Sequence, residues 1–172
     1  EGSDFTAAIF SYCLDAESMT IWKDVPGVLT GDPRIFEDVV IMEKISYTEA
    51  IEMTYYGAQV IHPKTLRPLQ NKHIPMYVKS FIHPENPGTL VGDADVEAYP
   101  PVIVVKPEQA LLKIVSKSFY FVDEIRFSLL FDAFARHRIK VNMTQNTALA
   151  FSVCVNYDAR KIEALNAELS EE

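Results

Sequence analysis

The most restrictive feature of the sequence is the point at which its glycines and prolines stop. All six glycines lie at or before Gly92, and all ten prolines lie at or before Pro107. Because these residues mark turns and interrupt regular elements, the first part of the chain should consist of short elements joined by turn-rich loops. The proline-bearing segment 93–109 is predicted to be a linker or an extended crossing strand. It would separate a first domain, 1–92, from a second, 110–172.

Composition narrows the class of protein. The 172 residues are 48% hydrophobic and 23% charged, which is ordinary for a folded domain. No apolar run approaches the roughly 20 residues that a membrane-spanning helix needs, so no membrane association is predicted. The net charge of -8 argues against non-specific nucleic-acid binding, which needs a basic surface.

The two cysteines, Cys13 and Cys154, lie far apart in apolar stretches. They are too few for a disulfide scaffold, and no metal-ligand spacing is present. We therefore predict inert, buried thiols, no metal site and a cytoplasmic location. The chain begins with Glu1-Gly2-Ser3 and not with Met, which we interpret as the interior of a longer protein.

The first helix is predicted over Phe5–Ala16, with Ser3 or Asp4 as its cap. Its buried face would contain Phe5, Ile9 and Cys13, which are spaced i, i+4 and i+8.

Cap and turn residues indicate the other elements of the first part. Ser46-Tyr47-Thr48-Glu49 is a capping box that should open a helix ending at Gly57. Pro63 can begin another helix, because proline is tolerated in the first helical turn. Strands are predicted over Met19–Lys23 and Ile74–Ser80. Alternating helices and strands indicate an α/β sheet.

The second part has longer elements. Strands are predicted over Ala110–Ser116, Lys140–Gln145 and Leu149–Asn156, and helices over Val122–Arg136 and from Asp158 through about Leu169. The apolar stripe of the long helix, which would face the core or a second subunit, would contain Val122, Ile125, Leu129, Ala133 and Arg136. The order β-α-β-β-α is that of a ferredoxin-like βαββαβ unit without its last strand.

Three places could carry chemistry. At Gly2-Ser3-Asp4, a carboxylate at a helix start could orient a substrate, or it could be an ordinary cap. In the turn-rich loop Asp24–Arg34, Arg34 offers a planar fork to phosphate oxygens, or it is a solvated side chain. His62 could be a general base, or it could belong to the lead-in of the helix that Pro63 begins.

Taken in order, these segments resemble the aspartokinase family. The likeness is carried by Gly2-Ser3-Asp4-Phe5-Thr6-Ala7-Ala8, Ile21-Trp22-Lys23-Asp24-Val25-Pro26-Gly27-Val28, Asp32-Pro33-Arg34, Gly57-Ala58-Gln59-Val60-Ile61-His62-Pro63, Ile74-Pro75 through Ser80, and Pro87-Gly88-Thr89-Leu90. It covers residues 1–92 as the second half of a catalytic domain and residues 110–169 as most of a first ACT domain. The resemblance implies an α/β fold class. A partial amino-acid-kinase fold with a parallel-rich αβα sheet would be followed by a partial ferredoxin-like ACT domain.

The resemblance implies an activity for the parent protein. It would transfer the γ-phosphoryl group of ATP, with Mg²⁺, to the side-chain carboxylate of L-aspartate. The product, 4-phospho-L-aspartate, is the first intermediate toward lysine, threonine and methionine. Asp4 matches the family's active-site aspartate, and Gly2 and Ser3 belong to the segment around the bound aspartate.

The same resemblance implies which residues face ATP: Lys23, Asp24, Leu29, Arg34, Gln59 and Val60. Lys23 and Asp24 match a backbone stretch near the nucleotide, and Arg34 matches an arginine at its phosphates. Two positions depart from the family. Gln59 stands where a lysine is frequent and cannot neutralise phosphate, and Leu29 stands where a tyrosine is common. The family's amino-terminal Lys-Phe-Gly-Gly phosphate segment is absent, so we predict that this chain alone has no kinase activity.

For the second part, the resemblance implies that ACT units pair in a homodimer and bind an amino-acid effector, lysine or threonine, at their seam. The candidate effector residues are Asp123, Asn142, Gln145 and Asn146. The Asp123 carboxylate suits an effector ammonium, but a charge at a helix start explains it equally well. The alternative to an aspartate kinase is a regulatory and oligomerisation module without catalysis.

Overall fold

The structure is a computed structural model that describes residues 2–93, 99–115 and 123–171. The chain divides between Val105 and Lys106 into two compact units. Across the described ranges, no helix combines the length and the apolar composition that crossing a bilayer requires.

The first unit has three helices and four strands within its described residues. In chain order they are α1 (Ser3–Cys13), β1 (Met19–Lys23), β2 (Lys44–Ser46), α2 (Tyr47–Tyr56), α3 (Pro63–Asn71), β3 (Met76–Ser80) and β4 (Thr89–Gly92). The strands form one sheet in the order β1-β3-β4-β2. The pairs β1–β3 and β2–β4 are parallel, and the central pair β3–β4 is antiparallel. The predicted α/β sheet, rich in parallel pairs, is therefore confirmed.

Cap and turn residues place the helices of the first unit where the sequence predicted them. Ser46 is the N-cap of α2, and its side chain accepts a hydrogen bond from the Glu49 N–H at 3.0 Å. Gly57 ends α2 with φ 129°, a conformation that glycine adopts without a Cβ clash. α3 begins at Pro63, as predicted. We did not predict β2 and β4, because strands of three and four residues are too short to show an alternating pattern.

The first helix differs from its predicted cap and its predicted buried face. The N-cap is Gly2, and Asp4 lies inside the first turn, so the predicted side-chain cap is wrong. Ala8 is fully buried, whereas Ile9 is 41% exposed and Cys13 is exposed. The helix approaches its neighbours at a small side chain, so the spacing of the larger apolar residues indicated the wrong face.

Residues 99–105 pack on the first unit. The Tyr99 hydroxyl accepts a hydrogen bond from the Ser46 N–H at 2.9 Å, and the Ile103 N–H donates to the Thr30 carbonyl at 2.8 Å. Alternate apolar side chains of this segment contact the core of the sheet and its helices. The predicted crossing segment is therefore attached to the first unit up to the division at Val105.

The second unit has the predicted β-α-β-β-α order. Its described elements are β5 (Gln109–Val115), α4 (Glu124–Arg136), β6 (Val141–Asn146), β7 (Ala150–Asn156) and α5 (Ala159–Glu171). The sheet order is β5-β7-β6, and both pairs are antiparallel. This is the strand order that a ferredoxin-like unit has before its last strand is added.

The buried face of α4 matches the predicted stripe at Ala133 but not at Ile125 or Leu129, and Val122 lies outside the described residues. Ile125 is 73% exposed and Leu129 is 55% exposed, whereas Phe134 is buried. Phe127 packs edge-to-face on Phe151, with ring centroids 5.3 Å apart. The helix carries two apolar faces, and the aromatic one covers the sheet, so periodicity alone could not tell which face is inside.

Candidate functional site

The N-termini of α1 and α3 lie side by side. At the other end of these helices, the Lys72 ammonium donates a hydrogen bond to the Tyr12 carbonyl at 2.7 Å and pairs with Asp15. Lys72 is the C-cap of α3, and Tyr12 lies in the last turn of α1. Because the two helices pack together with adjacent C-termini, they are parallel and their N-termini are also neighbours.

The strands next to these helices end at one edge of the sheet, which we call the carboxyl edge. It is defined by Lys23 and Ser80, the last residues of β1 and β3, which are partners in the parallel register. Chain continuity places the start of α1 there, because α1 runs into β1 through a short turn and must point the opposite way. The carboxyl ends of parallel strands are the usual position of ligand sites in such sheets.

Asp4 and Lys23 meet at the carboxyl edge. The Lys23 ammonium lies 2.6 Å from Asp4 Oδ2, and the two side chains are 29% and 25% exposed. Asp4 belongs to the first turn of α1 and Lys23 to the end of β1, so the contact joins residues 19 positions apart. Gly2 and Ser3 lie beside Asp4 and are exposed. Sequence reasoning assigned Lys23 only a backbone role, and its side chain could not be paired with Asp4 without the fold.

The loop after Lys23 is anchored at the same edge. The Val28 N–H donates to Thr89 Oγ1 at 2.8 Å. Gly27 allows this approach, because a Cβ there would lie 2.6 Å from the same oxygen. Asp24 is exposed, and Leu29, which is half-buried, forms a β-bridge with Ile41. The loop is thus ordered by its own contacts with β4, and Thr89 is an anchor that the sequence reasoning did not identify.

Arg34 forms an ion pair with Asp32 within the loop. Its Nε lies 3.0 Å from Asp32 Oδ1 and its Nη2 lies 2.7 Å from Asp32 Oδ2, so the fork grips one carboxylate. These hydrogen bonds lower the pKa of Asp32 and raise that of Arg34. The Arg34 side chain is 79% exposed. No contact between Arg34 and Asp4 occurs among the hydrogen bonds and ion pairs of the described residues.

Gln59 and Val60 lie at the carboxyl edge by topology. α2 begins at the opposite edge, directly after Ser46, and packs against β2 and β4. It therefore returns toward the carboxyl edge, and Gln59 and Val60 join its end to the start of α3. Gln59 is exposed and Val60 is half-buried against the core.

His62 has a structural partner. It is the N-cap of α3, and its Nδ1 accepts a hydrogen bond from the Lys64 N–H at 3.2 Å. This geometry supports the helix lead-in over the general base, because the ring nitrogen that faces the helix is occupied by a backbone donor.

A cavity of about 380 Å³ lies near the Arg34 turn, and none of the predicted site residues lines it. Its walls are Thr30, Ile35, Phe36, Glu37, Asp38, Val39, Pro101 and Ile103. Neither Asp4 nor Lys23 lines this cavity, so we do not assign it to the same chemistry.

In the second unit, Asp123 acts as a helix cap. Its side chain accepts a hydrogen bond from the Arg126 N–H at 2.9 Å and pairs with the Arg126 guanidinium at 3.3 Å. Both interactions are local to the start of α4. Of the two interpretations of Asp123, the structure gives direct support to the helix-start role.

Asn142 lies in a network of amides, while Gln145 and Asn146 are exposed further along β6. The Asn142 Nδ2 donates to Gln109 Oε1 at 2.6 Å and to Asn156 Oδ1 at 2.8 Å. Its Oδ1 accepts from the Lys106 ammonium at 2.8 Å. Lys106, Gln109 and Asn156 were not predicted, because only the fold brings them to Asn142. Gln109 and Asn156 are partners in the β5–β7 register, and Lys106 lies in the segment before β5.

The comparisons with known proteins agree with this arrangement. Residues 1–80 match the model of the Amino acid kinase family. Over 98% of its length, the chain is 31% identical to bifunctional aspartokinase/homoserine dehydrogenase 2, chloroplastic, of Zea mays, and it covers 19% of that protein.

Two crystal structures of E. coli aspartokinase III are similar to the chain. One is a T-state complex with lysine and aspartate, with a TM-score of 0.81 and 32% identity, and the chain covers 39% of it. The other is an R-state complex with aspartate and ADP, with a TM-score of 0.76 and 30% identity, and the chain again covers 39%. The alignments include 99% and 98% of the present chain. The chain thus spans less than half the length of these relatives.

The motifs in their order, the two sheets and these similarities point to one assignment. The chain belongs to the aspartokinase family, and its fold is a partial amino-acid-kinase fold followed by a partial ACT fold.

Proposed function

We propose that the protein carrying this chain phosphorylates the side-chain carboxylate of L-aspartate with ATP, giving 4-phospho-L-aspartate and ADP. The observation that carries the proposal is the Asp4–Lys23 contact at the carboxyl edge, where two helix N-termini also lie. The E. coli relative binds aspartate and ADP in one crystal structure, which fits a site for both substrates.

The reaction makes limited demands on the protein. A carboxylate oxygen of the substrate forms a bond to the γ-phosphorus, while the bond to the bridging oxygen breaks and leaves its electron pair on ADP. Such a transfer is catalysed mainly by positioning and by neutralising charge. In this proposal Gly2, Ser3 and Asp4 hold the amino-acid substrate, and the Asp4 carboxylate suits the substrate's ammonium group.

The nucleotide would lie on the other side of Asp4. The proposed ATP residues are Lys23, Asp24, Leu29, Arg34, Gln59 and Val60. Helix N-termini favour phosphate oxygens, because their N–H groups and dipoles point at the anion. Mg²⁺ would bind together with the phosphates, as it does in other phosphoryl transfers.

Replacement of one carboxylate tests the proposal. In the complete protein, Asp4→Asn should lower the rate of aspartate phosphorylation by about 100-fold or more, since one preorganised polar group at a reacting centre contributes at that scale. Asp15→Asn is the matched control, because Asp15 is an acidic residue just beyond the C-terminus of the same helix. Equal rates for the two variants, measured by coupled ADP release, would contradict the proposal.

The 172-residue chain by itself should show no turnover with ATP, Mg²⁺ and aspartate. It covers 39% of the E. coli enzyme, and its sequence contains no Lys-Phe-Gly-Gly segment. Measurable turnover by the isolated chain would contradict this expectation and would move the whole site into residues 1–92.

A second function is favoured by the network at Asn142. We propose that residues 110–172 form an ACT-like regulatory domain that pairs into a homodimer and binds lysine or threonine, with Asp123, Asn142, Gln145 and Asn146 as candidate contacts. Asn142 offers an amide oxygen that already accepts an ammonium hydrogen bond. Titration calorimetry with lysine and then threonine tests effector binding. Sedimentation tests pairing, and a strict monomer at high concentration would contradict it.

A further inference from the structure

Three side chains on the proposed ATP side could interact with phosphate, but they differ in charge and in the partners that they already have. Gln59 is neutral. Arg34 carries a charge, but two nitrogens of its fork are held by Asp32. Lys23 is charged, lies at the carboxyl edge and is partly buried. The positive charge best placed for a polyphosphate at this edge is therefore that of Lys23.

The geometry of Lys23 leaves room for a ligand. An ammonium has three N–H donors, and Asp4 takes one of them at 2.6 Å. The Lys23 side chain remains 29% exposed, so it is not sealed off from solvent. Asp4 thus fixes the position of Nζ without using all its donors.

The surroundings of Lys23 also favour an anion. The start of α1 is one turn or less from Asp4, and the start of α3 lies beside it. Each helix start presents unpaired N–H groups and positive dipole character. Asp4 takes one contact from the Lys23 ammonium, whereas Asp32 holds two nitrogens of the Arg34 fork. The Lys23 side chain is also less exposed than that of Arg34, so water screens its attraction for phosphate oxygens less.

We propose that Lys23 is the side chain that neutralises the ATP phosphates during transfer, in place of the charge that Gln59 cannot supply, and that Asp4 orients its ammonium. This rests on the proposed kinase function and deepens it. Lys23 donates to phosphate oxygens in this assignment, so it is a substrate-contacting residue, whereas the sequence had assigned only its backbone to the nucleotide side.

A charge-relocation experiment in the complete protein tests the proposal. Lys23→Met should lower kcat by roughly 100-fold, the scale expected for one charge-stabilising donor at a transition state. Adding Gln59→Lys to that variant should raise kcat at least tenfold above that of Lys23→Met alone, because the new lysine supplies a positive charge at the same edge from another element. Lys23→Arg should retain more activity than Lys23→Met. Lys79→Met, on the neighbouring strand, is the matched control for the loss of a lysine.

Binding separates a phosphate contact from a structural role. Titration with ADP and with adenosine should show that Lys23→Met weakens ADP at least tenfold and leaves adenosine within twofold. Equal losses for both ligands, no loss for either, or no rescue by Gln59→Lys would overturn the proposal for Lys23. Aspartate phosphorylation by the unmodified protein tests the kinase function separately, so the two failures are distinguishable.

Discussion

The two units bring polar side chains together in different ways. In the first unit, parallel strands and parallel helices end at one edge, so Asp4, Lys23 and Gln59 reach the same edge from separate parts of the chain. In the second unit, the antiparallel register pairs Gln109 with Asn156, and Asn142 joins them from the irregular start of β6. In the first unit the polar residues lie at the ends of helices and strands, and in the second they lie along neighbouring strands of a sheet.

The difference affects what each site can bind. At the carboxyl edge, Asp4 takes one of the three N–H donors of Lys23, and the Lys23 side chain is partly exposed. In the amide network, both Asn142 donor hydrogens and its oxygen already have partners, one of which is the Lys106 ammonium. An anion at the first site has Lys23 donors to use beside the one that Asp4 takes, whereas an effector ammonium that uses Asn142 must share its oxygen with Lys106 or replace it.

The largest expected effect concerns the core of the second unit. Leu165→Ala should destabilise this unit by about 2–5 kcal/mol, because a fully buried leucine leaves a cavity. Leu129→Ala, on the exposed face of α4, should cost less than about 0.5 kcal/mol. Denaturant unfolding followed by hydrogen exchange at the amides of β7 measures both. Similar losses in the two variants would mean that the predicted stripe at Leu129 is buried after all.

The next effect compares the two edges of the first sheet. Gly27→Ala should destabilise the protein by roughly 1–3 kcal/mol, because the added Cβ would overlap Thr89 Oγ1 at 2.6 Å. Gly92→Ala is the control at the opposite edge, where the Cβ would meet nothing closer than 3.9 Å. Thermal unfolding of both variants checks the difference. If Gly92→Ala is the more damaging change, the account of the loop anchor is wrong.

Helix caps allow a direct comparison between the units. Ser46→Ala and Asp123→Ala should each cost about 1 kcal/mol, because each removes the acceptor of a helix N-terminal N–H. Asp123→Asn should recover most of the loss if Asp123 is mainly a cap. Chemical denaturation gives the three values. An unchanged stability in Asp123→Ala would favour the effector interpretation of this carboxylate.

The smallest expected effect is a pH dependence of the stability of the second unit. Hydrogen bonds from Arg136 and then His137 lower the pKa of Glu168 below its ordinary value of 4.5. Its stabilising contribution is therefore present above the unfolded pKa and is lost as the pH falls through the lower folded pKa. Between neutral pH and pH 3, the free energy of unfolding should fall less steeply for Glu168→Gln than for the unmodified chain. Parallel curves for the two proteins would show that this cluster does not contribute.

Local signals predicted much of this fold. The capping box at Ser46, the stop at Gly57 and the start at Pro63 act over a few residues, so the sequence places α2 and α3 correctly. Short strands and buried faces depend on partners distant in sequence. Neither β4 nor the burial of Ala8 in place of Cys13 could be read from periodicity.

The candidate site shows the same limit. Motif resemblance identified Asp4 and the neighbourhood of Lys23, but the contact of their side chains depends on α1 folding back along β1. The partnership of Arg34 with Asp32 is local, and its proline-centred turn was visible in the sequence. What the sequence did not reveal was that this local pairing occupies the guanidinium expected at the phosphates.

The most direct test of the central claim is a crystal structure of the complete protein with aspartate and ADP. We expect Lys23 Nζ within about 3 Å of a phosphate oxygen, the usual length of a charge-assisted hydrogen bond, with Asp4 still in contact with the ammonium. Phosphates bound on another element, with Lys23 facing only Asp4, would contradict the account.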